Sequence, residues 1–65
     1  SYEKVIALET GKVYYSVAEC ARKNGVGLSA LFASLRRGTR CGGEKYMFYS
    51  VYEEVNKRLK EKGVI

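Results

Sequence analysis

The chain has 65 residues, 46% hydrophobic and 29% charged, with a formal net charge of +5. Such a length predicts one small domain over residues 1–65 with a modest core, and the composition excludes a disordered chain. No apolar run reaches the roughly 18 residues a membrane span needs, and no signal-peptide pattern opens the sequence, so no membrane partner is expected.

Catalytic and metal chemistry find little support. Histidine and aspartate are absent, and Cys20 and Cys41 are the only cysteines. Two thiols without histidine fall short of the four nitrogen or sulfur ligands of structural zinc. No nucleophile elbow or phosphate loop is present. A non-enzymatic chain is therefore expected, with no metal, cofactor or small-molecule substrate. Both cysteines read as free thiols of a reducing compartment. The first residue is Ser1 rather than methionine, which points to a fragment of a longer protein, or to a processed or tag-derived end.

In chain order, the apolar run Val5–Leu8, the pair Thr10-Gly11 and the segment Lys12–Tyr15 predict a β-hairpin. Ser16 and Glu19 have the spacing of a capping box, and open a first helix that runs to Lys23. Asn24-Gly25 then supplies the left-handed residue of a helix C-terminus. Cys20 falls on the inner side of this helix, as a small hydrophobe. Ser29 is the expected cap of a second helix ending at Gly38. Helical spacing gathers Leu28, Leu31, Phe32 and Leu35 toward the core. The outer face is then Ser29, Ala30, Ala33, Ser34 and Arg37, with Arg36 on the flank. Two capped helices and a Gly-containing turn within Ser16–Gly38 give the outline of a helix-turn-helix.

Thr39–Lys45 (TRCGGEK) reads as a basic, Gly-rich loop without periodicity, and Tyr46–Tyr49 as a third short strand. Ser50 and Glu53 form a second capping box for a last helix running to about Lys62. Its apolar stripe is Val51, Tyr52, Val55 and Leu59. Glu53–Lys57 and Glu54–Arg58 are stabilising i,i+4 pairs on the solvated side. The fold class is thus α+β: a small antiparallel sheet of two or three short strands, a helix-turn-helix and a C-terminal third helix.

Charge is unevenly placed. Residues 1–11 sum to −1, residues 12–45 to +5 and residues 46–65 to +1. A positive excess confined to the helix-turn-helix and its following loop is suited to a polyanion such as double-stranded DNA. Arg36, Arg37, Arg40 and Lys45, among the loop glycines, are candidate phosphate ligands, with Arg22 and Lys23 at the end of the first helix. Ser29, Ser34 and Arg37 are the candidate base-edge contacts. About four to six engaged cations would give a log–log salt slope of roughly −3.5 to −5.5. Two other readings arise from the same residues. Six tyrosines (2, 14, 15, 46, 49 and 52) allow stacking on single-stranded bases, and the small outer Ala30 and Ala33 suit a protein partner or a second copy.

The segment Ile6–Val26, IALETGKVYYSVAECARKNGV, resembles the small helix-turn-helix modules found beside homing endonucleases, the nuclease-associated modular domains. The Thr-Gly-Lys-Val-Tyr hairpin joined to a Ser-x-x-Glu-x-Ala helix carries the likeness, which continues through Ser29, Leu35, Gly38 and Gly42-Gly43 and covers roughly residues 5–49. The Tyr-Ser-x-Tyr-Glu-Glu-Val opening of the last helix is similar to the closing helix of excisionase-type winged-helix proteins. Both likenesses imply a DNA-binding accessory of a phage or mobile-element protein, in the cytoplasm of a bacterial or phage-infected host cell. They differ over Thr39–Lys45, a connector in one family and a wing in the other.

Overall fold

A computed structural model describes residues 3–63, so Tyr2 lies outside the described residues. Four strands and three helices follow in the order β1 (Val5–Ala7), β2 (Val13–Tyr14), α1 (Val17–Asn24), α2 (Leu28–Arg37), β3 (Arg40–Cys41), β4 (Glu44–Phe48) and α3 (Tyr49–Glu61). The fold is the expected α+β class, with one more strand than expected. The sheet is antiparallel, in spatial order β2-β1-β4-β3. Residues Val5, Ile6 and Ala7 pair with Tyr46–Phe48 on one side, and Val5 and Ile6 with Val13 and Tyr14 on the other. Strand β1 is therefore central, and all three of its residues are buried.

Strand alternation turns Val5 and Ala7 toward the same face. There they join Tyr14, Tyr46 and Cys41 of the sheet with Val17, Cys20 and Ala21 of α1 and Leu31 of α2. Val26, Leu35 and Phe48 pack against this cluster from its edge. Cys20 and Cys41 are both free thiols inside it. Burial pushes the Cys20 thiol up to about 11, opposed in part by the Asn24 amide that reaches its sulfur. A thiol held protonated in this way is a packing group rather than a nucleophile.

Local capping explains why α1 sits where the sequence puts it. Ser16 is extended and its hydroxyl accepts the Glu19 N–H at 3.1 Å. The Glu19 carboxylate reaches one residue further back than a simple box, accepting the Tyr15 N–H at 2.8 Å. That bond, and Lys23 one turn on, hold the Glu19 carboxyl below its ordinary range. The helix runs one residue past Lys23 and closes on Gly25, whose φ of 66° only glycine adopts without strain.

Four expectations are corrected. Ser29 does not cap α2: the cap position is Gly27, which offers no side chain, and Ser29 is already the second helical residue. The Ser50–Glu53 box is not formed, because β4 runs straight into α3 with Phe48 at the cap position. The Tyr49 N–H donates instead to the Lys4 carbonyl at 2.8 Å, so the start of the central strand does the work of a cap. Thr39–Lys45 is not an irregular loop. It is a β-hairpin, with Arg40 opposite Lys45, Cys41 opposite Glu44 and Gly42-Gly43 as its two-residue turn. Both turn residues have positive φ (60° and 82°), the requirement of a tight type I′ connection.

The fourth correction concerns which sides of the helices face inward. In α2 the buried residues are Leu31 and Ser34, while Leu28 and Phe32 remain 47% and 39% exposed. The helix is rotated by roughly 60° from the expected orientation, given about 100° per residue. Ser34 faces inward in this orientation, and its hydroxyl donates to the Thr39 carbonyl, tying the end of α2 to the chain that leaves it. In α3 no residue is buried, and Val51 and Val55 are 47% and 44% exposed. Of the stripe expected to pack onto the core, Tyr52 and Leu59 are half-buried, and the two valines project outward. Of its two expected ion pairs, Glu54–Arg58 forms at 3.2 Å, and Glu53–Lys57 does not.

Candidate nucleic-acid interface

The β3–β4 register organises the basic residues. Arg36 and Arg37 end α2, both exposed, and Gly38 closes the helix by donating to the Ser34 carbonyl at 2.8 Å. Three residues after Arg37 the chain enters β3 at Arg40, which faces Lys45 across the hairpin. From Thr39 the chain returns along α2 toward the α1–α2 turn. A Cβ built on Gly42 would stand 2.9 Å from Val26 Cγ1, so the tip of the hairpin rests directly on that turn. The turn follows Arg22 and Lys23 at the end of α1. Three elements thus place six cations around α2: Arg22 and Lys23, Arg36 and Arg37, Arg40 and Lys45.

These cations are not equivalent. Lys23 pairs with Glu19 at 3.4 Å within α1. Arg40 is ion-paired to Glu9, on the β1–β2 turn, and also donates to the Gly43 carbonyl at 2.8 Å. Glu9 takes the Lys45 N–H at 3.0 Å with its other oxygen. One carboxylate therefore ties the two hairpins together. That backbone hydrogen bond, followed by the Arg40 contact, holds the Glu9 carboxyl below its ordinary range. Among the described residues Arg22, Arg36, Arg37 and the Lys45 ammonium make no ion pair. Arg22, Lys23, Arg36 and Arg37 also lie in the last turns of their helices, where positive charge favours the helix dipole by about 0.3–1 kcal/mol each.

The rotation of α2 redistributes the candidate base-edge residues. Ser29 is exposed and forms no capping bond, so its hydroxyl is free. Ser34 is only 3% exposed and is committed to Thr39, so it is not part of the interface. The outer face of α2 consists of Ser29, Ala30, the half-buried Ala33, Arg36 and Arg37, with Phe32 on one edge. Comparison with family models, curated proteins and solved structures finds no match. The geometry of this face is therefore what bears on function.

Two features were not anticipated. Glu9 intrudes among the basic groups from a distant turn, and no spacing in the sequence announces it. The β3–β4 hairpin did have a signal, since Gly-Gly between Arg-Cys and Glu-Lys is a two-residue hairpin turn. The tyrosines divide: Tyr14 and Tyr46 are core residues, and Tyr49 and Tyr52 stack on each other at 6.0 Å between centroids. Among the described tyrosines Tyr15 is the exposed one, at 75%. Away from the basic face, Val17, Ala18, Leu28, Phe32 and Phe48 line a shallow groove of about 300 Å³ with Glu3 at its rim. No helix among the described residues is long and apolar enough to cross a membrane.

Proposed function

We propose that the chain is a double-stranded DNA-binding module, an accessory or targeting part of a phage or mobile-element protein, binding mainly through phosphates. The observation that carries this reading is the set of cations without an ion-pair partner among the described residues, the exposed Arg22, Arg36 and Arg37 and the half-buried Lys45, arranged around a helix whose outer face is small. In such a module α2 lies in the major groove with Ser29 and Arg37 at base edges, and alanine methyls at 30 and 33 permit close approach. The β3–β4 hairpin then acts as a wing along the flanking backbone, where Lys45 meets phosphates while Arg40 stays paired to Glu9. Base readout is modest, because only Arg37 offers a bidentate guanine contact, and it stands at the far end of the helix.

An amide-shift titration of the labelled domain with a short random-sequence duplex, at low and then higher salt, tests the reading. Salt-sensitive shifts on Arg22, on Ser29–Arg37 and on the 39–45 hairpin support it. An unperturbed spectrum of the intact fold at low salt overturns it, since phosphate-dominated binding has to appear on any duplex.

A further inference from the structure

Phe32 is 39% exposed on the helix that the basic residues surround, and it is held there by the groove it lines with Val17, Leu28 and Phe48. Helical spacing sets two rows along the outward side of α2. One is Ser29, Phe32 and Arg36, and beside it runs Ala30, Ala33 and Arg37, each at i, i+3 and i+7. Polar groups stand only at the two ends of this surface, the Ser29 hydroxyl at the start and the two guanidinium groups at the finish. Its middle is the Phe32 ring with the Ala30 and Ala33 methyls.

With α2 in the major groove, the stretch from Ala30 to Arg37 extends roughly 10 Å at 1.5 Å per residue. That is the length of about three base-pair steps of 3.4 Å. Over the middle of it the base edges meet carbon alone. Guanine, cytosine and adenine present only hydrogen-bond donors or acceptors in the major groove, and thymine adds a C5 methyl. Methyl and phenyl carbons satisfy no donor or acceptor, so a base edge without a methyl loses water to this surface and gains no partner. A thymine methyl meets carbon with carbon. The cations hold the helix on phosphates whatever the sequence, so over the middle of the face discrimination enters through the methyl contact.

We propose, on the basis of the DNA reading, that α2 selects duplexes carrying neighbouring thymines, whose C5 methyl groups pack against Ala30, Phe32 and Ala33. Each methyl buried in this way contributes about threefold in affinity, so two give a preference of about tenfold.

Anisotropy titrations at one low salt concentration test the proposal. They compare a fluorescent duplex whose centre repeats T-T-G with the same duplex carrying uracil in place of every thymine. That exchange removes methyl groups and leaves every charge and hydrogen-bonding group. The chain is expected to bind the thymine duplex about tenfold more tightly. The variant A30S/A33S keeps small, helix-compatible side chains at an exposed and a half-buried position, and its amide spectrum outside α2 is expected to match the parent's. Its preference is expected to fall to about threefold or less, with binding of the uracil duplex unchanged. Equal binding of the two duplexes by the parent overturns the proposal and leaves the DNA reading standing. A full preference retained in A30S/A33S also overturns it, because the discrimination then comes from duplex shape rather than from these methyls. Failure to bind either duplex at low salt overturns the DNA reading, and the thymine selection with it.

Discussion

The distinction between paired and unpaired cations leads to a quantitative expectation for DNA binding. Of the six basic residues around α2, Lys23 and Arg40 have carboxylate partners, and Arg22, Arg36, Arg37 and Lys45 have none among the described residues. If the four unpaired cations each neutralise one phosphate, log K falls against log salt with a slope of about −3.6, from −0.9 per phosphate. Between about 50 and 200 mM salt that slope costs roughly 150-fold in affinity. The double change R36A/R37A leaves two such cations, so the slope is expected to fall to about −1.8 and the loss to roughly 12-fold over the same range. Both side chains are exposed and make no hydrogen bond among the described residues, so the fold survives the change apart from a small loss of helix-dipole compensation. Anisotropy of a fluorescent duplex titrated at four or five salt concentrations reads the slopes directly. An unchanged slope in the double variant would refute the site. A parental slope steeper than about −5 would instead show that Lys23 and Arg40 leave their carboxylates on binding.

Three further expectations concern the groups that hold the interface in place. Glu9→Gln removes the carboxylate that neutralises Arg40, and is expected to steepen the salt slope by about 0.9 as Arg40 joins the phosphate ligands. The same variant bears on acid stability. The Glu9 carboxyl is lowered on folding, so its contribution is fully present above the unfolded carboxyl range and is lost as pH falls through the folded value. Thermal melts from neutral pH downward are expected to show a smaller acid loss in Glu9→Gln than in the parent, with Glu19 supplying the part that remains. Ser34→Ala is expected to cost about 0.5–1.5 kcal/mol in urea unfolding, through the lost bond to Thr39, without altering DNA affinity of the folded protein. A drop in affinity there would return Ser34 to the interface. Gly42→Ala is expected to lower the urea midpoint more than Gly43→Ala. Both force a side chain into positive φ, and only at Gly42 does the new Cβ press on Val26.

The sequence was most legible where local chemistry and tertiary packing agree. Ser16 and Glu19 mark the start of α1, and Gly25 its end, because caps act within a few residues of themselves. Strand β1 and its hairpin were readable from apolar runs flanking Thr10-Gly11 for the same reason. Legibility failed where a distant group decides. Helical spacing gathers Leu28, Leu31, Phe32 and Leu35 correctly into one stripe, and cannot show that Ser34 will turn inward to reach Thr39. Likewise the Ser50–Glu53 spacing is a sound local cap, displaced by a backbone carbonyl from Lys4 at the other end of the chain. For the candidate site, all six cations were visible as residues. Which of them are neutralised was not, because Glu9 meets Arg40 across 31 positions of sequence.

The central place of β1 has a consequence for how the chain acquires its structure during synthesis. Strand β1 is made before the other strands described, and its longer partner is Tyr46–Phe48, about 40 residues later. Until that segment has left the ribosome, β1 has only the two-residue ladder with β2, and isolated hairpins of that kind are marginal in water. The helices α1 and α2 emerge earlier, at lengths where helices alone are also marginal. Folding therefore awaits the arrival of β4, and α3, none of whose residues is fully buried, adds its length afterwards.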